Sequence, residues 1–195
     1  MKFVYVADDV LSEKECERII KFFEINGGRH EPGVTIARDD PTPIKKSTDW
    51  CKHFGEEDAV DLLLQDKLID HTEEYHRFVK GINHVSSTWD VDPNYNIQKY
   101  DPGEGYYVWH HEHGGFKYFP KLRTVRRILA WMIYLNDVPD GGTEFLDQGQ
   151  TVEAKRGRLL IWPAYWTHTH RSQVSNTQVK YIATGWYNFD VPEIE

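Results

Sequence analysis

Residues 127–135 read Arg127-Ile128-Leu129-Ala130-Trp131-Met132-Ile133-Tyr134-Leu135, and the fold turns on them. Both alternating sets of this run are apolar, so a strand here buries both faces and lies at the centre of a sheet covered on either side. The phenol of Tyr134 then needs a buried hydrogen-bond partner. Outward from this run the period stays at two. Further short strands are expected at 82–90, 95–100, 106–112, 144–147, 158–162, 166–171 and 178–189, separated by Pro-Gly, Asp-Gly-Gly and Arg-Gly turns. This pattern of short strands favours a double-sheet jelly roll, or double-stranded β-helix.

Residues 1–80 have a different period. Ser12-Glu13-Lys14-Glu15 is a capping box, and Cys16, Ile19, Ile20 and Phe23 follow at helical spacing until Gly27-Gly28, which predicts a helix over 12–25. A second helix is expected over 56–80, with Val60, Leu63, Leu64, Leu68, Tyr75, Phe78 and Val79 as its apolar stripe. Between them, 30–47 carries Pro32, Pro41 and Pro43 and reads as a long connection or edge strand bordering a substrate. The expected fold class is mainly β with flanking helices, the helices packing outside one sheet. One domain is expected over 1–195, with a helical part over about 1–80 and the jelly-roll core over about 81–190.

Composition narrows the function classes. Lys plus Arg number 23 against 31 Asp plus Glu, a net charge of −8, which disfavours nucleic acid and anionic membrane as partners. Aromatic residues make up 14%, too many for a disordered chain. Cys16 and Cys51 are too few for a disulfide framework and suit a reducing compartment. The opening residues fall short of a signal peptide, and no apolar stretch approaches a membrane span, so a cytoplasmic location is expected.

Five of the ten histidines fall in two short windows, Trp109-His110-His111-Glu112-His113 and His168-Thr169-His170. Residues two apart on a strand share a face, so His110 and Glu112 can aim an imidazole and a carboxylate at one point. A third imidazole from His168 or His170 would complete two histidines and one carboxylate on one side of a metal, leaving the other positions open. Such nitrogen and oxygen ligands without thiolate suit non-heme Fe(II). His111 and His113 also share a face, and spacing by itself does not choose between the pairs. Lys180 shares its strand face with Ile182, Thr184 and Trp186, so its ammonium needs a buried anionic partner or a route to water. Tyr100 shares a face with Asn96 and Gln98, a polar set fit to line a cavity. Lys121, Arg123, Arg126 and Arg127 read as a solvated strand entry. Asp140-Gly141-Gly142 reads as a turn without chemistry. The tryptophans read mostly as core.

Motifs from Tyr100 to Trp186 together resemble those of the 2-oxoglutarate and Fe(II)-dependent dioxygenases, and within them the prolyl 4-hydroxylase-like group. They are, in order, Tyr100-Asp101-Pro102-Gly103, Tyr107, His110-His111-Glu112, Tyr134-Leu135-Asn136-Asp137, Gly141-Gly142-Thr143-Glu144-Phe145, Gly157 through Pro163, His168-Thr169-His170, and Lys180 through Trp186. A weaker likeness begins at Val10 through Cys16. The resemblance implies Fe(II) on His110, Glu112 and a distal histidine, with Glu standing where the family commonly has Asp. Spacing to Lys180 favours His170, while spacing from Pro163 suits His168, and the one that is not the ligand is expected beside the metal. It also implies that Lys180, Tyr134, Tyr100 and Thr184 contact 2-oxoglutarate. The activity implied is hydroxylation of an unactivated C–H bond, with 2-oxoglutarate and O2 converted to succinate and CO2. The substrate implied first is a peptidyl proline, and ascorbate supports turnover in such relatives. The rivals are a hydroxylase of a free amino acid or other small molecule, and a jelly-roll binding module with a structural zinc and tryptophans stacked on sugar. Closed zinc sites generally take four protein ligands, often thiolates, and neither cysteine lies near the histidine windows.

Overall fold

Two capping boxes start the two helices of the computed structural model, which describes residues 2–33, 43–114 and 123–190. Ser12 accepts from the Glu15 amide while Glu15 reaches back to the Ser12 amide, and α1 runs over Glu13–Ile25. Asp58 and Asp61 do the same for α2, Ala59–Phe78. Both helices match the sequence expectation to within a few residues.

The strands are β1 (Tyr5–Ala7), β2 (Glu31–Pro32), β3 (Lys45–Lys46), β4 (Thr48–His53), β5 (Trp89–Tyr100), β6 (Gly105–Tyr106), β7 (Arg127–Tyr134), β8 (Val138–Phe145), β9 (Gln150–Ala154), β10 (Leu159–Pro163), β11 (His170–Ser172) and β12 (Lys180–Phe189). Seven of them form an antiparallel sheet in the order β1-β10-β7-β12-β5-β4-β2, and a smaller sheet runs β11-β8-β9. Strands β3 and β6 form a separate pair. This is the jelly-roll arrangement expected, mostly strand with the helices to one side.

The central run behaves as its double apolar alternation requires. Trp131 and Ile133 of β7 join Tyr95, Ile97, Ala183 and Tyr187 in a core sealed by Cys16, Ile19 and Phe23 of α1 and Val60, Leu64, Leu68 and Tyr75 of α2. Ala130, Met132 and Tyr134 face the other way, with Tyr100, Leu160, Trp162 and Ile182, toward Phe145 of β8 and Val152 and Ala154 of β9. One strand therefore belongs to two cores, one under the helices and one between the sheets. Lys52, wholly buried on β4, pins α2 through Asp58 at 2.6 Å, Glu56 at 2.8 Å and Asp61 at 3.3 Å. Tyr95 donates to Asp61 as well, at 2.5 Å. No described helix is long and apolar enough to cross a membrane.

Several expectations need correction. Residues 80–84 form a 3-10 turn, and the strand expected at 82–90 begins only at Trp89. The strand expected over 106–112 stops after Tyr106, leaving one isolated bridge between His110 and His170. Asp140-Gly141-Gly142 lies within β8 at a register shift rather than in a hairpin turn. The part of the chain read as helical contributes β1 and β4 to the large sheet, and β9 carries too few apolar residues to stand out from sequence.

Candidate active site

The two sheets enclose a cavity of about 480 Å³, and the alternation of β5, β7 and β12 decides what faces it. Asn96, Gln98 and Tyr100 of β5, Met132 and Tyr134 of β7, and Lys180, Ile182, Thr184 and Trp186 of β12 all line it. Their neighbours in sequence point into the helix-side core.

At one end, His110, Glu112 and His170 each offer a ligand atom within 4.8 Å of the others. Glu112 Oε1 lies 3.5 Å from Nε2 of both histidines. Backbone contacts set the tautomers. Nδ1 of His110 lies 3.0 Å from the Val108 carbonyl and Nδ1 of His170 lies 2.9 Å from the His168 carbonyl. A carbonyl can only accept, so both Nδ1 atoms carry the proton and both Nε2 lone pairs face Glu112. Burial pushes the His170 imidazole down, toward its neutral form. Burial alone would raise Glu112, yet His110 and His170, when their rings are protonated in the absence of a metal, hold its carboxyl well below the usual range. Neutral imidazoles and an ionised carboxylate are the protonation states a metal requires. The donor set fits a metal that prefers two histidines and a carboxylate with open positions opposite.

His110 and Glu112 reach this geometry without the strand alternation expected of them. His110 exchanges backbone hydrogen bonds with His170, at 2.9 and 2.8 Å, and the Glu112 amide donates to Ala164 at 3.0 Å. The Tyr106 ring stacks on His110 with centroids 3.4 Å apart. His168 ends a 3-10 turn, not a strand, so its ring leaves the cavity. Its Nε2 donates to the Lys2 carbonyl at 3.1 Å, and Nδ1 meets the Thr167 hydroxyl at 3.0 Å. Only its backbone carbonyl serves the cluster, by orienting His170. His111 is exposed, and His113 donates from Nδ1 to the Arg127 carbonyl at 3.0 Å.

Sequence reasoning missed the groups behind Glu112. Trp186 Nε1 donates to Glu112 Oε2 at 2.9 Å, and Arg127 Nη1 donates to the same oxygen at 3.2 Å. The Arg127 guanidinium lies over the Trp186 ring, 3.5 Å from its centroid. Arg127 is therefore no solvated strand entry. Lys121 lies outside the described residues. The register of Trp186 with Lys180 on one face was the available signal, but the partner sits 74 residues away.

At the far end, Lys180 Nζ donates to Ser172 Oγ at 2.5 Å, to the Gly141 carbonyl at 2.9 Å and to the Gln173 carbonyl at 3.3 Å. Among the described residues no carboxylate lies within ion-pair distance of it. It is 5% exposed, and burial pushes its ammonium down to about 8. An ammonium held by neutral acceptors beside an open cavity lacks an anion. Gly141, read from sequence as chemically idle, supplies one of those acceptors. A Cβ there would come within 2.5 Å of Val138 and 3.3 Å of the Lys180 stem. Tyr134 shares a hydrogen bond with Thr143 at 2.6 Å, Tyr100 donates to Gln98 at 2.8 Å, and Thr184 donates to the Trp131 carbonyl at 2.8 Å. Burial raises both phenols, keeping them protonated donors.

Comparison with known proteins now bears on this geometry. Residues 95–188 match the 2OG-Fe(II) oxygenase superfamily. No curated protein matches the chain. Among solved structures, the viral collagen prolyl hydroxylase of Paramecium Bursaria Chlorella virus-1, in complex with 2OG, superposes with a TM-score of 0.70 at 20% identity, covering 95% of this chain and 96% of that one. A Pseudomonas putida prolyl-4-hydroxylase gives 0.69 at 16% identity, covering 95% and 92%. A Trichoplax adhaerens prolyl hydroxylase in complex with a hypoxia inducible factor peptide fragment gives 0.69 at 14%, covering 96% and 84%. At these identities the likeness speaks for the fold. The superfamily match runs from β5 to β12 and contains His110, Glu112, His170 and Lys180, so this part of the chain is similar to a 2OG-Fe(II) oxygenase domain, and the chain as a whole has the fold of the prolyl hydroxylases it superposes on.

Proposed function

We propose that the chain, acting as one domain, hydroxylates an unactivated C–H bond of a proline-containing peptide, with Fe(II) held by His110, Glu112 and His170. The observation that carries this reading is the convergence of two Nε2 lone pairs and one carboxylate oxygen at the end of a cavity whose other end holds an unpaired ammonium. Lys180 takes the distal carboxylate of 2-oxoglutarate, with the Tyr134, Tyr100 and Thr184 hydroxyls beside it. The bound metal and its cosubstrate supply the oxidising power, consuming O2 and releasing succinate and CO2. The protein's own work is positional. Val108 and His168 carbonyls fix the imidazole tautomers, Trp186 and Arg127 hold the second oxygen of Glu112, and Trp162 and Phe145 flank His170 with apolar edges that keep water from its ring. No side chain acts as nucleophile or base.

The peptide substrate is supported by fold likeness to a prolyl hydroxylase solved with a peptide. Ascorbate as a reductant that sustains turnover belongs to the same reading. The test is turnover of Fe(II)-loaded protein with 2-oxoglutarate and a panel of proline-containing peptides and free amino acids, following succinate and a gain of one oxygen by mass spectrometry. Succinate coupled to an oxidised peptide supports the proposal. Coupling only to a free amino acid replaces the substrate class, and no succinate with any substrate overturns the assignment.

A further inference from the structure

A five-carbon diacid is small for a cavity of about 480 Å³. Away from Lys180 the cavity continues along β5 to β4 and β3, where Asn96, Gln98, Asp49 and Lys45 line it. Lys45 is only half-buried as a residue but its side chain is 9% exposed, and its Nζ meets Asp49 Oδ2 at 2.5 Å. Gln98 donates to the same oxygen at 3.0 Å, and Ser47 donates to Asp49 Oδ1 at 2.7 Å. Tyr100 in turn donates to Gln98. A hydrogen-bonded row of side chains thus runs from the cosubstrate end of the cavity to Lys45.

Among the described residues the row holds Lys45 in place and leaves donors to spare. An ammonium has three N–H groups, and among the described residues Asp49 is the partner of Lys45. Asn96 shares a strand face with Gln98, one pleat along, and its side chain has no hydrogen-bond partner among the described residues. This end of the cavity therefore asks for an acceptor. Charge points the same way. Arg127 is paired with Glu112, Lys45 with Asp49, and Arg171, also at the cavity wall, with Glu144 at 2.6 Å. Lys180 has no such partner. Fe(II) and the 2-oxoglutarate dianion cancel, so the loaded cavity retains one positive charge inside a chain of net charge −8.

We propose that Lys45 and Asn96 form a substrate subsite that takes a carboxylate, so that the substrate carries an acidic group beside the C–H bond that is oxidised. Asp49 and Gln98 position Lys45. The inference rests on the oxygenase reading above and names the chemistry its substrate must bring. That carboxylate comes from an acidic side chain of a peptide or from the carboxyl group of a free amino or imino acid.

The test is binding to Fe(II)- and 2-oxoglutarate-loaded enzyme without O2, read by quenching of tryptophan fluorescence, since Trp162 and Trp186 line the cavity. The probes are a C-terminally amidated proline peptide with Glu or Gln beside the proline, and L-proline against L-prolinamide. The carboxylate member of one pair should bind at least about tenfold more tightly, the scale of a charged hydrogen bond. The pair that shows the preference identifies the source. Lys45→Met should collapse the ratio toward one, Lys45→Arg should keep it, and Lys45→Glu should turn it toward a peptide with Lys at that position. A ratio near one in wild type, including failure of both members to bind, overturns the subsite. So does a preference that survives Lys45→Met. The charge-transfer band of the 2-oxoglutarate complex, recorded on the same wild-type samples, separates the two readings, because a normal band with a ratio near one sinks only the subsite and no band sinks both.

Discussion

Replacing Lys180 with Met should separate folding from cosubstrate binding. In the free enzyme the ammonium is held at a cost, because burial lowers it from its ordinary range to about 8. A depression of that size corresponds to roughly 3 kcal/mol at neutral pH, and Lys180 is too buried for solvent to screen it away. Met removes this cost but strands the Gly141 carbonyl and the Ser172 hydroxyl, at about 1–3 kcal/mol each. The two effects oppose each other, roughly 3 kcal/mol gained against about 2–6 kcal/mol lost, so the unfolding free energy of the free enzyme should change by no more than about 3 kcal/mol. Binding has no such compensation. Leaving the distal carboxylate buried and unpaired costs about 3–5 kcal/mol, or a loss of affinity of roughly 150- to 5,000-fold. Anaerobic titration of the Fe(II) enzyme with 2-oxoglutarate, following the visible charge-transfer band, measures that loss, and thermal unfolding without cosubstrate measures stability. The wild type adds a pH signature. Only the protonated amine attracts the dianion, so affinity should be independent of this group below about pH 8 and fall about tenfold per unit above it. Free-enzyme stability should move oppositely, rising with pH above about 8, because the unfolded chain then binds the additional proton. Affinity within threefold of wild type in Lys180→Met, or a loss matched by unfolding, would refute the argument.

Other outcomes test the remaining roles. His170→Ala should abolish Fe(II) binding by calorimetry, whereas His168→Ala should keep it and lose about 1–3 kcal/mol of stability through the stranded Lys2 carbonyl. Trp186→Phe removes the donor to Glu112 Oε2 and should weaken metal affinity by about 10- to 100-fold without unfolding the protein, seen by competition with a chelating dye. Lys52→Met should leave the carboxylate of Asp61 buried and uncompensated, lowering stability by about 3–5 kcal/mol in urea denaturation, with no direct effect on the cavity.

The local devices of this protein were legible in its sequence. The capping box at Ser12 acts over three residues, so α1 begins near where the letters place it, while α2, expected from 56, begins at Ala59 behind a capping box at Asp58 that the structure adds. The double apolar alternation of 127–135 required a layer on each face, and the helices and the small sheet supply those layers. Period two also put Lys180, Ile182, Thr184 and Trp186 on the cavity side of β12. What lay beyond the sequence depends on contacts between distant segments. Which of His168 and His170 turns its ring to the cavity follows from a 3-10 turn ending at His168 and a backbone bridge from His170 to His110. Neither is written in a Thr-His-Thr-His string, whose alternation suggested one shared face. Arg127 looked like a surface charge until folding set it over Trp186 and against Glu112. The same holds for Lys45, which falls in the stretch read as a connection or edge strand and lines the cavity from β3, and for Asp49, which lines it because β4 pairs with β5. The sequence by itself determined periodicity, caps and the kinds of ligand atom available, since these are properties of neighbours along the chain. Only the tertiary structure decided which lone pairs converge and which charge is left without a partner, because both are set by segments that meet across the fold.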